Sequence, residues 1–436
     1  MLGGMIGGWS GYGAKFTPGQ GFFLVLISGF LFLALSVIKI KGKTFRELVF
    51  DGMPVAVRAA ISVGIGLFIA YIGFQNAGVI ITNDFTQVSL VDFTKWDDQV
   101  VNDGVPASAA AKTAVVALVG LFLIAILDKL KVKGSIIFGI LGATIVGIPL
   151  GVTDYKILTG SKPGISWKFW ENFSSFFSAG SPEYQQVIEN GKPVMQEIPG
   201  SGSVFGSFIN VFTGEGVMPA GATIFTLIMI VITLCMIDMF DTMGTIVGCC
   251  SGNRVLSDEN DKPHNYGKIM MSDSIATCTG AMLGTSTVTT FVESGAGVSA
   301  GGRTGLTAFT TACLFFLSMF ALPLFAVIPS AAAASALIYV GVLMMKGNIK
   351  NVDFSNAINA TSAFLTIVIM VLSYSITKGI GVGLVSHTVM SIVLYLIELI
   401  KASIKKEEKP QWSVSAVSIV VSVLFCIYFF VPATLF

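Results

Sequence analysis

The chain has 436 residues, of which 53% are hydrophobic and only 12% charged, with a formal net charge of +1. With a mean hydropathy of +0.81, it carries too few charges to coat a soluble body of this length. Its near-neutral balance excludes a nucleic-acid surface built on net charge.

Apolar runs of about 17–25 residues recur along the sequence, the length at which a helix crosses the hydrocarbon layer. The fold class is therefore an all-α polytopic membrane protein. The opening MLGGMIGGWSGYG has no basic start and no long apolar core, so it does not read as a signal peptide. Spans are predicted at 19–38, 53–74, 109–127, 135–152, 219–246, 267–283, 304–322, 327–345, 361–377, 379–400 and 413–433. Cationic clusters follow the first span (Lys39, Lys41, Lys43, Arg46), the third (Lys129, Lys131, Lys133) and the fifth (Arg254, Lys262, Lys268). Others follow the eighth (Lys346, Lys350) and the tenth (Lys401, Lys405, Lys406, Lys409). Placing all five in the cytoplasm gives one consistent threading if 267–303 counts as two half-crossings. The loops 82–108 and 153–216 then face outside. The second carries Trp167, Phe169, Trp170, Phe173, Phe176 and Phe177, which fit either an interfacial helix or a loop packed on the outer rim. The six cysteines form no CxxC pair and read as buried, reduced thiols. The second and eighth spans both open on an apolar residue and a proline, Met53-Pro54 and Ile328-Pro329, and run in opposite directions under this threading. That is a faint inverted repeat, of the kind found in secondary transporters.

Four acids fall in or beside apolar spans: Asp238, Asp241, Asp273 and Glu293. A charge at a helix centre costs about 2.5–3.5 kcal/mol on insertion scales, so each needs solvation, a partner or a proton. Asp238 and Asp241 are three apart and are expected on one helix face, with Thr245 four beyond Asp241. Asp273, in MMSDSIATCTG, is placed to accept from backbone amides or a hydroxyl. Glu293 closes a threonine-rich run and opens a glycine-rich one in GTSTVTTFVESGAGVSAGGRTGLTA, residues 284–308. The β-branched run is a poor helix former. A helix is expected to begin near Ser294 with its free N–H groups pointing into the break. Thr289, Thr290 and Ser294 add hydroxyls. The result is a compact polar pocket for a small, flat, hydrogen-bonding ligand. Arg303 reads as a cation near the membrane face or paired with an acid, and His387 as a packing histidine rather than a proton relay. No catalytic or metal-ligating residue is assigned; two intramembrane aspartates could suggest an aspartyl protease of the bilayer, but the GxGD pattern of such enzymes is absent.

The segments IDMFDTMGTIVG (237–248) and GTSTVTTFVESGAGVSAGGRTGLTA closely resemble the AzgA-like purine permeases of the nucleobase–cation symporter-2 group. The likeness extends to GIGLFIAYIGFQNAG (64–78) and IYVGVLMMKG (338–347). It implies a seven-plus-seven inverted repeat in which a core domain moves against a gate domain, with short intramembrane strands in two broken helices. The implied layout is partial core 1–50, gate 51–152, extracellular loop 153–216, core with the substrate site 217–323, gate 324–400, and a C-terminal loop and helix 401–436. By resemblance, Asp241 and Glu293 contact substrate, Thr245 is a polar position beside them, and Asp273 is tied to proton coupling. The expected substrate site is Asp241, Glu293, Thr245, Thr290 and Ser294; the expected proton-coupling pair is Asp238 and Asp273. The implied activity is import of purine nucleobases (adenine, guanine, hypoxanthine) by H⁺ symport across the cell membrane, without a cofactor; a homodimer is compatible with it. One motif departs: the family's APGMGLNA-like segment is absent, with Gly3, Gly4, Gly7 and Gly8 as its candidate remnant. The chain therefore reads as N-terminally incomplete by three helices, which sets a non-transporting remnant as the alternative.

Overall fold

The structure, a computed structural model, describes residues 18–159 apart from 41, 84, 95, 97–99, 103–104 and 108–109. It also describes 170, 184–189, 192–197, 208–209, 211–212, 224–250, 255–258, 263–405, and 411–430 apart from 413. The glycines at 3, 4, 7 and 8, the 167–177 aromatics other than Trp170, and the cations Lys41, Arg254, Lys262, Lys406 and Lys409 lie outside the described residues.

The helices are α1 (Pro18–Val37), α2 (Phe45–Gly52), α3 (Val55–Asn76), α4 (Ala110–Lys129), α5 (Ser135–Gly147), α6 (Ile224–Cys250) and α7 (Tyr266–Met282). They continue with α8 (Ser294–Ser299), α9 (Gly305–Ser318), α10 (Leu322–Ala326), α11 (Ser330–Asn348), α12 (Ala357–Leu372), α13 (Ile376–Lys405) and α14 (Ala416–Phe430). Every predicted span is matched by a helix. Among the described residues seven are long and apolar enough to cross a membrane: α1, α3, α4, α6, α9 continued through α10, α11 and α13. Helices α5, α12 and α14 are apolar but shorter. α3 begins directly after Pro54 and α11 directly after Pro329, where the ring fixes φ and no N–H is lost to the ladder.

The stretches read as external loops contain antiparallel hairpins: β3 (Ile80–Asn83) with β4 (Gln87–Leu90), β5 (Val100–Asn102) with β6 (Val105–Ala107), and β7 (Tyr184–Glu189) with β8 (Lys192–Glu197). A smaller one, β1 (Lys39–Ile40) with β2 (Lys43–Thr44), joins α1 to α2.

The chain divides into two compact units. The first draws on 1–68, 204–298 and 344–436, and the second on 69–203 and 299–343. In the first, Leu24 and Val25 of α1, Ile230, Val231 and Leu234 of α6, and Ala281 of α7 form an apolar cluster. Gly29 lets α1 lie close on α7, since a Cβ there would sit 2.8 Å from Cys278 Sγ. α12 and α13 form a helical hairpin in which Gly379 and Gly383 seat against Met370 and Thr366. In the second unit α4, α5 and α11 meet through small residues, with Ala114, Ala117, Ala143, Ala331 and Ala334 fully enclosed. Small side chains suit helices in lipid, where close backbone approach replaces the hydrophobic drive.

The interruption expected at 284–303 is present. α7 stops at a left-handed Gly284 (φ +81). Thr285 N–H donates to Gly280 O at 2.9 Å and Gly284 N–H to Ala281 O at 3.1 Å, the paired bonds of a Schellman cap. Residues 285–291 are neither helical nor paired in a ladder, so the expected short strand is not formed among the described residues. A strand needs a neighbouring backbone, and this stretch instead meets side chains: Thr277 Oγ1 donates to Val288 O at 3.2 Å.

Candidate functional site at an interrupted helix

The acids singled out in the sequence all belong to the first unit, carried by α6, α7 and the turn into α8. Two of them stitch α6 to α7. Asp238 on α6, 1% exposed, accepts from Thr277 Oγ1 of α7 at 2.9 Å. Asp273 on α7, 7% exposed, accepts from Thr242 Oγ1 of α6 at 2.6 Å. On each helix the aspartate and the threonine are four residues apart, so they stack on one face and meet the opposite pair on the neighbour. Hydrogen bonds to a charged group contribute about 1.5–3 kcal/mol each, which is the scale of the insertion cost that these acids impose. Asp273 accepts a second hydroxyl, Thr290 Oγ1 at 3.0 Å, which fastens the irregular stretch to α7. Thr277 has one hydroxyl hydrogen and two acceptors in reach, Asp238 and Val288 O, so it serves one at a time. The second carboxylate oxygen of Asp238, Oδ1, is buried and has no partner among the described residues.

Asp238 and Asp241 do not engage the same neighbour, as a shared face led one to expect. Asp241 accepts from Thr377 Oγ1 at the start of α13, 2.9 Å away. Three residues advance a helix by about 300°, and that offset of about 60° is enough to aim one acid at α7 and the other at α13. Thr245 is buried at 2% exposure one turn beyond Asp241. Cys249 lies one turn further.

Glu293 differs from the other three. It is exposed, and its carboxylate makes no hydrogen bond or ion pair with the described residues. It does not meet Asp241. Its electrostatic neighbour is Cys249, about 12 Å along α6 from Asp241. The Cys249 thiol donates to Val292 O at 3.8 Å. Ser294, also exposed, opens α8, where a helix start is expected. The expected free N–H groups are absent, however. Ser294, Gly295 and Ala296 donate to the carbonyls of Phe291, Val292 and Glu293 at 3.2, 2.9 and 3.0 Å. The turn before α8 uses them itself, and α8 is only six residues long. What the turn offers a ligand is therefore side-chain oxygen, chiefly Glu293.

In the sequence Arg46 reads as one of several topogenic cations; the structure encloses it completely (0% exposed). Nη2 donates to Phe32 O at 2.6 Å and Nη1 to Met270 O at 3.0 Å. The guanidinium lies 3.0 Å from the centre of the Phe32 ring. Burial pulls its pKa down to about 10, which still leaves it a cation at neutral pH. Asp273 and Asp238 both act on it electrostatically. Nothing in the KGKTFREL neighbourhood marks this burial. The threonine partners did leave a sign: DMFDT (238–242) and DSIAT (273–277) repeat the same aspartate–threonine spacing.

Residues 13–382 match the permease family. The chain is 32% identical over 368 residues to the putative permease MJ0326 of Methanocaldococcus jannaschii, covering 84% of this chain and 69% of that protein. It is 32% identical over 347 residues to the adenine permease AdeP of Escherichia coli (80% and 64%). It is 30% identical over 376 residues to the guanine/hypoxanthine permease PbuO of Bacillus subtilis (86% and 72%). The chain thus spans 64–72% of the length of these relatives, all named as transporters. Among solved structures it matches the transmembrane domain of the cyanobacterial bicarbonate transporter BicA at 17% identity and a TM-score of 0.44, over 84% of this chain and 76% of that one.

Proposed function

The chain belongs to the permease family, as a multi-pass membrane protein resembling the AzgA-like purine permeases, and on that premise we propose that it imports purine nucleobases by proton symport. One observation carries the reading: three of the four acids in the broken-helix region are committed to threonine hydroxyls, and Glu293 is exposed with no side-chain partner among the described residues. A purine presents ring N–H and amino donors along one edge, and a carboxylate accepts such donors directionally with the strength of a charge-assisted bond. The proposed seat is the surface of Glu293 and Ser294, backed by the α6 line of Asp241, Thr245 and Cys249. Thr290 holds the irregular stretch in register from behind. Asp238 and Asp273 are the proposed proton carriers. The segments 1–50 and 217–323 act as the moving core, and 51–152 and 324–400 as the gate, in this reading.

Support comes from relatives named for adenine and for guanine/hypoxanthine, and from acids placed in otherwise apolar helices, where they mark ion or substrate paths. The test is uptake of labelled adenine, guanine and hypoxanthine by cells lacking their own purine uptake, with and without a protonophore. Uptake of at least one base that the protonophore collapses is expected. Glu293→Gln is expected to reduce it about a hundredfold while the protein still reaches the membrane. Full uptake by that variant overturns the substrate role. Uptake indifferent to the protonophore removes proton symport and leaves purine transport standing.

A further inference from the structure

Arg46 is the only cation among the described residues that is fully buried. It stands on α2, a short helix held by a capping box at Thr44 and flanked by the Lys43–Asp51 ion pair at 2.5 Å. Its two carbonyl bonds, to Phe32 on α1 and Met270 on α7, fix the guanidinium in place. Nε has no partner among the described residues, and neither does Asp238 Oδ1. The groups that face this centre are few. α6 brings Cys235 and Asp238, with Asp241 acting on Asp238 from the same helix, and α7 brings Tyr266, Asp273 and Cys278, the last acting on Asp238. Glu47 and Asp51 on α2 itself act on Tyr266. α1 and α14, which pack on α2, carry no charged side chain. Arg46 makes no direct ion pair with either acid, so it acts on them through space.

We propose that Arg46 is the resident counter-cation of the Asp238–Asp273 stitch, so that the enclosed group is neutral with one proton aboard. The arithmetic is simple. Two carboxylates and one guanidinium carry −1 with no proton, 0 with one and +1 with two. Threonine hydroxyls solvate the carboxylates but cannot cancel charge, and uncompensated charge is costly in an enclosed site. Two acids without the arginine would need two protons to reach the same neutrality. The inference rests on the proton-symport reading for its use in a transport cycle. The charge balance itself is independent of what is transported.

The experiment follows melting temperature in detergent from pH 5 to pH 8. Free carboxylates ionise near pH 3.9, so each proton retained by the folded state makes stability fall as pH rises across this window. Wild type retains one and has a measurable downward slope. Arg46→Gln retains two and falls more steeply. Asp238→Asn pairs Arg46 with Asp273 alone and is nearly flat. Arg46→Gln/Asp238→Asn again needs one proton, so its slope returns to that of wild type. Arg46→Lys keeps the wild-type slope although the planar fork is lost. A deficit in Arg46→Gln that is the same at every pH overturns the proposal, because it reports only the two lost carbonyl bonds. If Arg46→Gln does not fold, the double variant decides: failure to fold there too, or a flat slope in it, overturns the proposal. The same proteins in liposomes separate this inference from the transport reading. Arg46→Gln is expected to keep adenine counterflow and to lose accumulation driven by a pH gradient at neutral pH. If wild type moves neither adenine nor hypoxanthine, the transport reading fails and the melting slopes still decide the role of Arg46.

Discussion

Asp273, within α7, and Glu293, in the turn into α8, lie on either side of the irregular stretch 285–291 and have opposite surroundings. Asp273 is 7% exposed and accepts two threonine hydroxyls from two different segments. Glu293 is exposed and has no hydrogen-bond partner among the described residues. The physics of each is consistent with its setting. An enclosed carboxylate must be solvated by fixed donors or its helix does not insert. One facing outward keeps its lone pairs free for whatever arrives. The contrast divides the acids into those that hold the protein together and the one left to hold something else.

The sharpest way to break that division is Glu293→Gln. It is expected to reduce purine uptake about a hundredfold, roughly 2.7 kcal/mol, with no change in melting temperature, since no hydrogen bond within the fold is lost. A large fall in melting temperature would place Glu293 with the structural acids. Next in size is Thr242→Val, which removes the 2.6 Å bond to Asp273 and is expected to cost about 2 kcal/mol of stability, read as a lower melting temperature. Asp273 and Asp238 would then rank as less committed than the geometry implies if melting were unchanged. Gly280→Ala tests how the irregular stretch is seated. A Cβ there meets Val288 and lies 2.9 Å from Thr285 Oγ1. The expected loss is about 1 kcal/mol by overpacking, with uptake reduced as the Thr290 anchor shifts.

The smallest effect is expected at the start of α12, far in the chain from the site. Asp353 accepts from Ser355 N–H, Ser355 Oγ and Asn359 Nδ2 at 2.9, 2.6 and 3.0 Å. The Ser355 hydroxyl, then the Asn359 amide and Ser355 backbone, hold its carboxyl below the usual range. A depressed carboxylate stabilises the fold above its unfolded value near 3.9 and loses that contribution as pH falls through its folded value. Asp353→Asn is therefore expected to lower the melting temperature slightly at pH 6 and to converge with wild type at the acid end of a scan to pH 3.

The apolar runs made the helices legible: the predicted 53–74 appears as Val55–Asn76 and 109–127 as Ala110–Lys129. The interruption was legible too, because a β-branched run followed by glycines cannot continue a helix. What the sequence hid is long-range. Thr377 is 136 residues from Asp241, and no local pattern points from one to the other. Arg46 follows Lys39 and Lys43, which do face water, and only its fit between two carbonyls and a ring separates it from them. The N–H groups at Ser294 were expected to be free because a helix start normally leaves them so. The turn from Phe291 uses them first. The hairpins at 80–90 and 184–197 were missed because short strands in a polar connection resemble loop by composition.

The bond from Arg46 to Met270 spans 224 residues of chain. Ribosomes add about 5–20 residues per second, so Arg46 is made on the order of ten to forty-five seconds before the carbonyl it will bind. For most of that wait Asp238 is missing as well, and Asp273 follows Met270 by three residues. The capping box at Thr44 and the Lys43–Asp51 pair join residues at most eight apart, so these local contacts of α2 need nothing that is made later, although a helix of eight residues gains most of its stability from packing. The burial of Arg46 can therefore be completed only after α6 and α7 have been made, late in the synthesis of the chain.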